Sequence, residues 1–368
     1  MINKKISQFL PYLTQQSKQK FLLYPIPMNI IIHPLNPSVR SLIDRMKLSF
    51  SINPIIRSCT SSDLSQIKNT FINFNEDFNH TTKSKFHSDI NSMSKLISCD
   101  LVLTNGIIRL NFLSSNIPTN TISAIIHAIN TFCLTFPYDY NNLKINVSLD
   151  ENYRIIMTNP GENNFERIFS LNQDLSSAFT VSGLTDKSSN LIILTKREEI
   201  IKLMFHEMVH YRGLDSFLHK NSSKYNYSES YTEFMAVLLS SIYQSLHLTC
   251  FLKGELYNLV QIILSIETLY SVYLTLNIKN FFMRDQANEQ RNKIKCPILV
   301  EEYIVQRTNL LLNINKVANL VGDDWIANEE IITIIEDYSS LVEKSLDMPN
   351  VVSNNISYMM IDLDYNIL

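Results

Sequence analysis

The stretch from Leu191 to Gly213 limits what this chain can become more than any other. Leu191-Ile192-Ile193-Leu194 is a short unbroken apolar run of the length and composition of a buried strand. Ile200, Ile201, Met204, Phe205, Met208 and Val209 then recur at the period of an amphipathic helix. Thr195 and Glu198 have the spacing of a capping box, and Gly213 supplies a C-terminal stop. His206 and His210 are four residues apart, so on a helix they share a face, with Cβ atoms about 6 Å apart. Two imidazoles in that relation can converge on one tetrahedral zinc at about 2.0–2.1 Å. Glu207 is rotated from that face by one residue. It can therefore approach a water in the open fourth position rather than the metal, and take its proton. The rival reading is a plain helix with two histidines in its core or on its surface.

An open zinc site needs a third protein ligand. Residue 216 is Ser, where a third His three residues past a Gly would stand, and His219 is a weaker candidate. Glu229 and Glu233 open an apolar helix one turn apart. A carboxylate there can face the core only beside a cation, and zinc is such a cation. The reading favours Glu229 as ligand and Glu233 as the residue that orients His206 or His210, with Glu233 as the alternative ligand. The rival is a helix start with two solvated carboxylates favoured by the dipole. A donor for a developing oxyanion is also required. Tyr211, Tyr225, Tyr227, Tyr231 and Arg212 are all in range in the sequence, and Tyr231 is taken as the candidate.

Around this segment the pattern predicts mixed structure. Leu96–Thr104, Asn105-Gly106 and Ile107–Leu113 read as a β-hairpin with a type I′ turn on Asn-Gly. Residues 119–135 carry apolar positions at helical spacing and end before Pro137. Leu143–Leu149 alternates like a half-buried strand. Strands are also expected at Tyr153–Thr158 and Ala178–Ser182, with a polar loop at Gly183–Asn190. Helices follow over about 229–246, 253–277, 298–320 and 327–346, with a charged linker at 284–295. The expected class is α+β. A core at 96–250 holds a mixed twisted sheet, a backing helix and the metal-bearing helix, and a mostly helical part at 251–368 follows. Residues 1–95 precede them with no chemistry assigned.

The pair His206-Glu207-x-x-His210, followed 19 residues later by Glu229 in a Glu-x-x-x-Glu step, resembles the gluzincin branch of zincin metallopeptidases. Arg197-Glu198-Glu199, the motif itself and Gly213-Leu214-Asp215 are similar to zincin-like proteins of large DNA viruses. The resemblance implies a zincin-like core and one Zn²⁺ per chain held by His206, His210 and Glu229. It also implies Glu207 as general base and Glu233 as support for a histidine. The function expected is hydrolysis of peptide bonds in a protein or peptide substrate by attack of a zinc-bound water. The alternative is a catalytically inactive zincin-fold protein with a structural or virion-associated role.

The remaining composition narrows the field. Net charge is −3 with basic residues dispersed, which argues against nucleic-acid binding. Five scattered cysteines form no CxxC pair, so reduced thiols in a cytoplasmic setting (host cytoplasm or virion) are expected over a disulfide framework. The apolar stretch Leu256–Ile278 holds Asn258, Gln261 and Glu267, and a buried helix is expected there rather than a membrane span. Six glycines in all leave no phosphate-binding loop and no nucleophile elbow.

Overall fold

A computed structural model describes residues 2–24, 26, 35–59, 63–74, 87–116, 118–149, 183–195, 199–221, 227–252, 254–286, 298–337, 339 and 359–367. Its elements in chain order begin with helices α1 (Ile2–Phe9), α2 (Gln15–Leu23) and α3 (Pro37–Phe50), strand β1 (Ile55–Ser58) and helix α4 (Leu64–Phe74). Strands β2 (Lys95–Leu103) and β3 (Gly106–Ser114), helix α5 (Thr119–Thr135), and strands β4 (Lys144–Ser148), β5 (Gly183–Asp186) and β6 (Leu191–Leu194) follow. The rest is helical: α6 (Ile200–Arg212), α7 (Ser216–Asn221), α8 (Tyr227–Thr249), α9 (Leu256–Gln286), α10 (Ile298–Leu312), α11 (Ile314–Val321) and α12 (Glu330–Glu336). The chain is α+β, with a mixed sheet and a helical C-terminal region, as the pattern predicted.

Two compact units emerge. Of the described residues, those within 49–212 form a sheet unit, and those within 1–48 and after 212 form a helical unit. The sequence reading set its divisions at 95/96 and 250/251 instead. The difference arises because β1 joins the sheet, while α1 and α2 pack with the C-terminal segment; both are long-range pairings with no local signature.

In the sheet unit the strand order is β1-β2-β3-β4-β6-β5. The first three strands are antiparallel, β3, β4 and β6 are parallel, and β5 returns antiparallel at the edge. Alternation places Leu113 and Ile193 on one face, packed with Ile67, Phe71, Ile90 and Met93. Ser98, Asn111 and Asn146 form a polar row on that face, joined by hydrogen bonds of 2.7 and 2.9 Å that satisfy the buried amides. The residues between, Ile108, Leu110, Phe112, Ile145 and Val147, are buried too, so the centre of the sheet is covered on both faces. Helices α5 and α6 meet through Phe132 and Phe205, whose ring centroids are 6.1 Å apart.

The hairpin forms as expected, but its turn sits one residue earlier. Leu103 pairs with Gly106, so Thr104 and Asn105 make the turn. Gly106 closes it with φ 146°, a value that suits a residue without a Cβ, and a methyl there would meet the Asn141 backbone at 2.8 Å. Where the sequence predicts a polar loop from Gly183, the chain forms β5 over Gly183–Asp186. The expected strands at 153–158 and 178–182 lie outside the described residues.

The helical unit is built on α8, α9 and α10. Helix α9 includes an apolar window, Leu256–Leu276, long enough to cross a membrane, but 72% of it is buried within the protein, as for a core helix. Glu267 on this helix is fully buried. Its two oxygens accept from the Ile361 and Met360 amides at 2.7 and 2.9 Å. Buried Lys20 donates to the Met359 carbonyl, and Leu13 and Leu363 form an antiparallel bridge. The C-terminal segment is thus held through its backbone by charged and main-chain groups from distant parts of the chain.

Candidate metal centre

Helix α6 carries the motif. It begins at Ile200, four residues later than the capping pattern predicted. Glu199 stands just before it with φ 55°, while Thr195 ends the strand side. A left-handed Glu199 cannot continue a helix backwards, which explains the late start. At the other end Gly213, with φ 78°, is the left-handed stop that the sequence promised. Tyr211 donates to Asn190 at 3.0 Å, and the Arg212 guanidinium lies 4.9 Å from the Tyr138 ring centre, which pins the last turn.

The helix brings its two histidines together. The His206 and His210 rings are 4.8 Å apart, centre to centre, and inclined at 76°. His206 is buried and His210 half-buried. Glu229, the third expected ligand, is half-buried in the first turn of α8 in the helical unit. Two imidazoles and one carboxylate match the ligand preference of zinc and leave a position open.

Glu207 is buried, with 4% of its surface exposed. It points to the edge strand β5, where the Thr185 hydroxyl lies 2.7 Å from its Oε2 and 3.0 Å from its main-chain oxygen. Its Oε1 is 4.0 Å from His206 Nε2. Gly183, two residues before Thr185 and on the same side of the strand, packs flush on the Glu207 side chain. A Cβ at Gly183 would come within 2.9 Å of both Cγ and Cδ of Glu207.

Two other expected participants have partners within the helical unit. Glu233 is buried, and its cation is Arg307, at 3.6 Å, itself fully buried and donating to Ser271 at 3.1 Å. Arg307 was missed in the sequence, although a lone arginine in an apolar helix was a visible signal. Tyr231 is fully buried, and its hydroxyl donates to the Trp325 carbonyl at 3.0 Å, while burial holds its pKa well above the usual phenol value. Asp215 accepts from Ser228, which ties the turn after α6 to the first turn of α8. Thr185 and Gly183 were also missed, because a four-residue polar strand has no apolar pattern to betray it.

Comparison with known proteins gives one result of substance. No family model matches the chain, and no solved structure matches it. Over 385 aligned residues it is 36% identical to an uncharacterised protein of Acanthamoeba polyphaga mimivirus. The alignment takes in 98% of this chain and 99% of that relative. The chain belongs to this viral family. Within the viral family the likeness extends through both the sheet unit and the helical unit.

Proposed function

We propose that this viral protein is a zinc-dependent metallopeptidase with a zincin-like core, in which His206, His210 and Glu229 bind the metal and Glu207 is the general base. The observation that carries the reading is the pair of His206 and His210 rings, 4.8 Å apart on one helix, with the Glu207 carboxylate beside His206; Glu229 enters as third ligand through the gluzincin resemblance. Zinc, when bound, supplies Lewis acidity for the scissile carbonyl and for the attacking water.

The chain's own residues do the rest. Glu207 takes a proton from water as the water oxygen bonds to the carbonyl carbon. It delivers that proton to the amide nitrogen as the C–N bond breaks, so that one water is added across one peptide bond. The burial of Glu207 keeps bulk water from competing for the carboxylate. Glu233 is assigned the supporting role rather than a ligand role, and Arg307 lies 3.6 Å from its carboxylate.

Metal analysis of the purified protein tests this directly. One zinc per chain is expected, with Tm falling in chelator and returning with added zinc. Glu229→Ala should lower zinc affinity far more than Glu233→Ala; the reverse order overturns the ligand assignment. Glu207→Gln should keep the zinc and abolish cleavage of a mixed peptide library. A wild-type protein that binds zinc and cleaves nothing in that library favours the inactive, structural alternative.

A further inference from the structure

Glu207 is gripped from one side by the edge strand, and the two contacts are chemically different. Thr185 has a single hydroxyl proton and two acceptors in range, Oε2 at 2.7 Å and the Glu207 main-chain oxygen at 3.0 Å. The shorter, charge-assisted bond to the carboxylate is the stronger of the two. Gly183 faces the other oxygen: Oε1 is the atom nearest to where its Cβ would stand. Residues 183 and 185 project to the same side because strand side chains alternate.

We propose that strand β5 is the positioning element for the base. Thr185 anchors Oε2, so that Oε1, the oxygen 4.0 Å from His206 Nε2, is the one that accepts the proton. Gly183 leaves the room that Oε1 occupies; a Cβ there would press on Oε1, Cδ and Cγ together and force the carboxylate to move. Both are positioning residues acting through Glu207. The inference rests on the zinc reading above and adds to it a division of labour between the two carboxylate oxygens.

The test uses acetohydroxamic acid binding to the zinc-loaded full chain, read by calorimetry. A hydroxamic acid gives up a proton on chelating a metal, so a well-placed carboxylate strengthens its binding without any turnover. Thr185→Val and Gly183→Ala should keep one zinc per chain and weaken the probe by about tenfold, the first by losing one charge-assisted hydrogen bond and the second by pushing the carboxylate out of place. Thr185→Ser should restore affinity to within about threefold. In a Glu207→Gln background, Thr185→Val should add no further loss, since its effect passes through the carboxylate. Wild-type protein without zinc would sink the metal reading and this inference together. Zinc and probe binding in the wild type with an unaltered Thr185→Val, with no rescue by Ser, or with an equal loss in the Glu207→Gln background, would overturn the inference alone.

Discussion

In the helical unit, Glu267 and Glu233 are buried against main-chain amides and an arginine; in the sheet unit, Glu207 is buried against a threonine hydroxyl and a glycine. All three are glutamates in apolar helices, and sequence pattern alone does not separate them. Their partners do. Two backbone N–H groups, or a guanidinium, fix a carboxylate as part of the architecture. A single hydroxyl on an edge strand orients a carboxylate through one of its two oxygens. The helical unit uses Glu267 and Glu233 to hold itself together, whereas Glu207 of the sheet unit is the one proposed as the base.

The largest effect on stability should come from breaking the Arg307–Glu233 pair. Arg307→Met leaves Glu233 buried without its cation and should cost about 3–5 kcal/mol in urea unfolding. Adding Glu233→Leu should recover most of that loss, because the pair as a whole stabilises much less than the cost of an orphaned charge. If Arg307→Met alone costs under about 1 kcal/mol, Glu233 is balanced by something else and returns as a metal-ligand candidate.

Glu267→Ala comes next. It strips the acceptor from the Met360 and Ile361 amides and should cost about 2–4 kcal/mol, with faster hydrogen exchange at those two amides. Unchanged exchange there would mean that the C-terminal segment is held without the carboxylate. That would erase half of the contrast with Glu207.

How much of this was legible in the sequence follows from where each feature's partners lie. Strand β6, helix α5 and the stop at Gly213 were readable, because each is set by residues within one run. The spacing of His206, Glu207 and His210 told which groups share a face. The hairpin was readable, but its turn was not, because the place of Gly106 is fixed by the close approach of Asn141, 35 residues on. Strand β5 was lost because it is short and polar, and its role lies in contacts with a helix 22 residues later. Lys20 lies in the N-terminal stretch to which no chemistry was assigned; its partner, the Met359 carbonyl, is 339 residues away. The expectation that Glu233 needs a cation was sound physics, and only its identity was open: Arg307 is 74 positions on.

Tyr231→Phe should have a smaller effect. Its hydroxyl holds the carbonyl of Trp325, a buried residue in the left-handed region at φ 53°, so the loss should be about 1 kcal/mol, with zinc binding unchanged. A loss of turnover with intact stability would instead assign Tyr231 the oxyanion role.

Glu207→Gln should move stability least, and that small number is the sharpest test of the contrast. The amide has nearly the shape of the carboxylate and keeps an oxygen for Thr185, so the packing against Gly183 survives. Unfolding free energy should change by less than about 0.5 kcal/mol, the range of a substitution that breaks no structural contact. The cleavage rate should fall by about 10²–10⁴, the ordinary contribution of a positioned base. Glu267→Gln makes the same chemical change in the helical unit with the opposite expectation. An amide NH₂ would be forced against a backbone N–H donor at Met360 or Ile361, so stability should drop by about 1–3 kcal/mol. Equal costs for the two substitutions would mean that Glu207 is as structural as Glu267, and the case for a base on α6 would then rest on the histidines alone.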